Sequence, residues 1–177
     1  MNRSEMKKFI QSLNSDEAAN VLKDMLDNDP SLLKIAYEAA IKKAGDVDAG
    51  TIMNEVFKSL NILDLDDLNH RAGRTRHGYV EPSEAAWEMF EEVLEPFINE
   101  MKKNQKRALP AAAKAHCIGI IKGLWKYRDE SFSDIADWFE DAPDEYVDTV
   151  IDEWKKGNPA SKDIVEVMSI VQSEKHE

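Results

Sequence analysis

Cysteine is almost missing from this chain of 177 residues, where Cys117 stands alone. One thiol closes no internal disulfide and leaves no ligand set for a structural zinc site. Glycine and proline together number 13, too few for a collagenous, linker-like or turn-dense β protein. No stretch approaches the roughly 18 apolar residues that cross a membrane. The opening Met1-Asn2-Arg3-Ser4-Glu5-Met6-Lys7-Lys8 lacks the apolar core of a signal peptide. Positive charge is also scarce. Against 35 acids stand 23 bases, and the net charge of −12 disfavours non-specific binding to nucleic acid or anionic membrane over most of the surface. These absences predict a cytoplasmic, all-helical protein that needs no cofactor and binds no metal.

Proline placement organises what is there. A proline fits the first turn of a helix, where its missing N–H has no partner to lose. Pro30, Pro82, Pro110, Pro143 and Pro159 each precede a stretch of helical periodicity, and only Pro96 falls inside one. Gly45 and Gly157 follow lysine-ended stretches, where left-handed C-terminal caps belong. The marks predict eight or nine helices and no sheet, with helices near 4–13, 16–28, 30–44, 48–61, 82–105, 109–127, 132–141, 143–156 and 160–174. The fold class is all-α, an irregular array of stacked helical hairpins resembling an α-α superhelix, with a helical bundle as the alternative.

The longest predicted helix carries Ala86, Phe90, Val93, Phe97 and Met101 at steps of four, three, four and four, widened by Trp87, Leu94 and Ile98. That is a broad core-facing stripe, with Pro96 expected to bend the helix. The next helix, 109–127, is apolar around most of its axis and so is expected at the centre of the core. Gly119 and Gly123 lie four apart on one of its faces. Each glycine costs about 1 kcal/mol relative to alanine in a helix interior, so close approach of a neighbouring helix is the expected compensation. A weak helix–turn–helix parallel links 15–43 with 133–156. The predicted organisation is N-terminal helical hairpins over 1–70, a basic glycine-containing loop over 71–81, and C-terminal hairpins over 82–177, in one continuous domain.

That loop is the candidate site. Arg71, Arg74 and Arg76 give three positive charges with no acid between Arg71 and Val80, and His77 and Tyr79 complete the cluster. Guanidinium forks suit carboxylate or phosphate. Two readings stay open: an anion or acidic-peptide site, or a structural tie to the glutamates that follow. Residues 129–154 are the opposite case, with eleven acids and no base. A solvated face with Phe132, Trp138, Phe139, Tyr146 and Trp154 turned to the core is one reading, and a surface for basic partners is another. Catalytic groupings are lacking. The glutamates at 84, 88, 91, 92 and 95 have no Glu-x-x-His partner, the histidines at 70, 77, 116 and 176 never reach i, i+4 spacing, and Cys117 and His116 point about 100° apart on a helix. Cys117 is expected as a buried structural thiol.

Arg76-His77-Gly78-Tyr79-Val80-Glu81-Pro82, followed by Ala85-Ala86-Trp87 and an acidic amphipathic helix, resembles the region beside the zinc motif of SWIM zinc-finger proteins. The opening is similar too, with Ser12-Leu13, Ser15-Asp16-Glu17 leading into Leu22, and Asp29-Pro30. The zinc motif of that group needs three cysteines and a histidine, which this chain does not have, so no metal site is carried over. The resemblance implies an accessory helical domain. The expected function is a non-enzymatic helical protein-interaction module with an unidentified protein partner and the capacity to form a homo-oligomer. The alternative is an anion-binding or nucleic-acid-associated accessory domain acting through Arg71, Arg74 and Arg76.

Overall fold

The computed structural model describes residues 2–75 and 78–174. The chain is all-α, 79% helical, with one two-stranded sheet. Among the described residues there are nine α-helices: α1 (Arg3–Gln11), α2 (Ser15–Asn28), α3 (Leu32–Gly45), α4 (Ala49–Asn61), α5 (Leu65–Arg71), α6 (Pro82–Lys106), α7 (Pro110–Glu130), α8 (Ala142–Lys155) and α9 (Ser161–Glu174). No helix among the described residues is long and apolar enough to cross a membrane. Two compact units divide the chain, residues 1–43 and 44–177, so position 70 falls inside the second.

The second unit is built around α7, which packs against α4, α6 and α8 and also touches α9. Eleven of its residues are buried, among them Cys117, Ile120, Ile121, Leu124 and Tyr127, as a helix apolar on most sides requires. Its closest partner is α4. A β-carbon on Gly119 would lie 2.8 Å from the Ala49 carbonyl oxygen, and one on Gly123 would lie 2.6 Å from Val56 Cβ. The glycines let two backbones approach where any side chain would hold them apart.

Along α6 the buried face runs through Ala86, Met89, Phe90, Leu94, Ile98 and Met101. Trp87, Val93 and Phe97 are partly buried at its edge, so the stripe is centred further round the helix than its spacing predicts. The helix continues through Pro96, which is exposed, so the hydrogen bond that proline cannot donate is lost on the solvent side. Phe90 meets Tyr146 of α8 edge to face at 5.6 Å. The α6 end also caps α8: Gln105 Nε2 donates to the Trp154 carbonyl at 2.7 Å and the Glu153 carbonyl at 3.3 Å. Lys114 of α7 donates to Asp163 and Glu166 of α9, each at 2.8 Å, and the Asp163 bond leads the causes that raise its pKa.

Four expectations are corrected. Residues 73–75 and 78–80 are not plain loop, because β1 (Gly73–Thr75) pairs antiparallel with β2 (Gly78–Val80) and the chain does contain a sheet. Gly73 at φ 97° and Gly78 at φ 140° supply backbone conformations that side chains resist. A helix also precedes this hairpin: Asp64 caps α5 by accepting the Asp67 N–H at 2.9 Å, and Leu68 is buried.

The predicted helix over 132–141 is a single 3-10 turn, Ala136–Phe139. The backbone before it is held by α4 instead. Phe132 N–H donates to Asn61 Oδ1 at 3.0 Å, and Ser133 Oγ donates to the Leu63 carbonyl at 2.7 Å. The parallel between 15–43 and 133–156 is lost with that helix. Gly45 and Gly157, finally, are not left-handed caps. Gly45 ends α3, and the positive φ after α8 belongs to Asn158 at 52°. Gly157 is small for another reason, since a β-carbon there would meet the Gln105 side chain at 2.7 Å.

Candidate functional site

The sequence-predicted cluster is divided by the structure. Arg71, at the end of α5, reaches across to α6 and its Nη1 donates to Glu92 Oε2 at 2.7 Å. Both side chains stay partly open to solvent. Arg74 and Tyr79 are cross-strand partners in the hairpin, and both are exposed. Arg76 and His77 lie outside the described residues, as does His176. One arginine is thus engaged in a tie to α6, while Arg74 projects to solvent beside an exposed aromatic ring.

Glu92 belongs to an acidic groove of about 570 Å³ between α6 and α8, lined by Glu88, Glu91, Glu95, Tyr146 and Glu153 among others. Glu153 is bound by Lys102 at 2.9 Å and by Lys156, and these bonds hold its carboxyl below the ordinary range, Lys156 contributing most. Burial raises the Tyr146 phenol, and Glu91, Glu153 and Glu95 add to the effect by disfavouring a further negative charge. Among the described residues no group of three or more His, Cys, Asp or Glu side chains is arranged to hold a metal ion.

Of the eleven acids in 129–154, ten are exposed and Glu153 is half-buried. Tyr146 and Trp154 are in the core, but Phe132 and Trp138 point outward at 75% and 44% exposure. The Phe139 side chain lies outside the described residues. The solvated acidic face is therefore real, and its aromatics are divided between core and solvent. Arg128 offsets part of it by bonding Asp129 at 2.7 Å and Asp144 at 2.9 Å. Cys117 is buried, and burial pushes its thiol up to about 12, far from a nucleophile's range. His116 Nδ1 lies 3.1 Å from the Ala112 carbonyl, within its own helix.

The surface that sequence spacing did not single out is the first unit. Residues 2–43 include no buried residue. Met6, Phe9 and Ile10 of α1, Val21, Leu22 and Met25 of α2, and Leu33, Ile35 and Tyr37 of α3 are 42% to 65% exposed. None of the three helices packs along another. Each is well formed locally: Asn2 and Asn14 cap α1 and α2, accepting the Glu5 and Glu17 N–H groups at 2.9 Å while those glutamates bond back to the cap N–H. Their apolar faces are nevertheless open. A signal for this was present in the composition: residues 1–43 carry seven bases and seven acids, so the whole charge of −12 resides in 44–177.

No protein-family model, curated protein or solved structure matches the chain.

Proposed function

We propose that this chain is a non-enzymatic helical protein-interaction module, working in the cytoplasm, whose contact surface is formed by α1, α2 and α3. The observation that carries the reading is the set of nine large apolar side chains left open on those helices. Helices of 9 to 14 residues are marginal in water by themselves, and most helical stability comes from packing an apolar face. Covering a half-exposed Leu, Ile or Phe contributes about 1 kcal/mol. Nine such groups on three short helices are a strong drive toward a partner. The second unit would act as the folded, acidic body that carries the surface. An accessory helical domain, as the SWIM-like stretch implies, fits the same role.

The test uses the full chain as bait in extract of its native cell, beside a variant carrying Phe9→Ser, Leu22→Ser and Leu33→Ser. Proteins retained by the wild type and lost from the variant, with the melting of the second unit unchanged, support the reading. Equal retention by both overturns it.

A second reading rests on Arg74, exposed beside Tyr79 on the hairpin. There the loop would take up an anionic ligand, and Arg74→Ala would abolish that uptake without altering stability.

A further inference from the structure

We infer that the partner of the N-terminal helices is a second copy of the same segment, so that α1–α3 of two chains form one shared core. The inference rests on the proposed reading of these helices as the contact surface and names their occupant.

Charge is the first argument. In the second unit an excess of twelve acids would repel a copy of itself, but residues 1–43 are neutral and impose no such penalty on pairing. Within that neutral segment the charge is segregated by helix. Helix α1 carries Arg3, Lys7 and Lys8 against Glu5, and α3 carries Lys34, Lys42 and Lys43 against Glu38. Helix α2 carries Asp16, Glu17, Asp24 and Asp27 against Lys23. Two helices are therefore each +2 and the one between them is −3. Opposite charge favours α2 of each chain lying against α1 or α3 of the other, and two-fold symmetry makes each such contact twice.

Size is the second argument. This unit has only 43 residues, just above the roughly 40 below which chains usually need staples or oligomerisation, and it has no cysteine and no buried residue. A standard interface takes about 800 Å² and 20–30 residues from each partner. Helices of 9, 14 and 14 residues supply enough residues for such an interface. Helix α3, apolar at Leu32, Leu33, Ile35, Ala36 and Tyr37 on several sides of its axis, calls for neighbours on more than one side. An anionic membrane is a poorer occupant, because α2 presents four acids.

Sedimentation velocity on the full chain tests the pairing. The wild type is expected at twice the 20.1 kDa chain mass at micromolar concentration. Two charge-reversed chains then test its geometry: one with Arg3→Glu, Lys7→Glu and Lys34→Glu, the other with Glu17→Lys, Asp24→Lys and Asp27→Lys. Each alone is expected to run as a monomer, since reversal sets like charges against each other across the axis. An equimolar mixture is expected to recover the dimer, which a pairing of helices within one chain would not produce. A monomeric wild type, or reversed chains that fail to recombine, overturns the inference. A monomeric wild type that still captures a different protein through Phe9, Leu22 and Leu33 overturns the second copy alone. A monomer that captures nothing overturns both this inference and the interaction reading.

Discussion

Gly119 of α7 lies so close to Ile52 of α4 that a β-carbon on the glycine would stand 2.7 Å from Ile52 Cβ. Four residues on, Gly123 has the same relation to Val56. In an exposed helix, replacing glycine by alanine stabilises by about 1 kcal/mol. Here the sign reverses. Gly119→Ala and Gly123→Ala should destabilise the second unit by about 1–3 kcal/mol, and the leucine variants by more, because overpacking forces two backbones apart. Thermal unfolding should move down by roughly 2–4 °C per kcal/mol in a chain of this size. Unchanged melting of both alanine variants would mean that α4 and α7 do not pack as described.

The Arg71–Glu92 contact ties the end of α5 to α6, yet the two side chains are 42% and 59% exposed. Water and salt screen such a pair, so a double-mutant cycle of Arg71→Ala and Glu92→Ala should give a coupling of about 0.2–1 kcal/mol. In 1 M salt the coupling should vanish. Coupling that persists in salt would indicate a more deeply held pair.

Burial of Cys117 raises its pKa from 9.0 to about 12. The unfolded thiol ionises above about pH 9 while the folded one stays neutral, so this contribution to stability is intact below pH 9 and is lost as pH rises toward 12. In the native state at pH 8, a thiol-reactive disulfide reagent should modify Cys117 about a thousandfold or more slowly than in urea, since reaction waits on opening of the core. Cys117→Ala should flatten the alkaline limb of urea-unfolding midpoints measured from pH 8 to 11. A thiol that reacts freely in the folded chain would contradict its burial.

Glu153 responds at the other end of the pH scale. Hydrogen bonds from Lys156 and Lys102 hold its carboxyl below the ordinary glutamate value of 4.5. Its contribution is therefore present above that value and lost as pH falls through the lowered one. Urea midpoints for wild type and Glu153→Gln should differ at about pH 6 and converge progressively as pH falls below 4.5. A constant difference across that range would remove the carboxylate from the account.

Much of this architecture was legible in the order of residues. The apolar run over 109–127 placed α7 at the centre, because a helix apolar on most sides must be covered on most sides. Pro82 and Pro110 marked the starts of α6 and α7. Local periodicity and capping are short-range, so they survive reading without a fold. The acidic face over 129–154 followed for the same reason, since carboxylates stay in water wherever the chain goes.

Tertiary structure decided the rest. Asn61 and Ser133 turned a helix-like stretch into a 3-10 turn through hydrogen bonds across about 70 positions of sequence, which no local pattern encodes. The same distance separates Gly119 from Ile52, so the glycine pair suggested a close neighbour without naming α4. Arg71 met Glu92 because α5 and α6 pack together, whereas Arg74, three residues away, faces solvent. Most of all, the amphipathic spacing of Met6, Phe9 and Ile10 determined that α1 has an apolar face, but not whether that face is covered. Periodicity is a property of one helix, and burial is a relation between two. Only the folded chain shows those side chains exposed, since residues 2–43 include no buried residue.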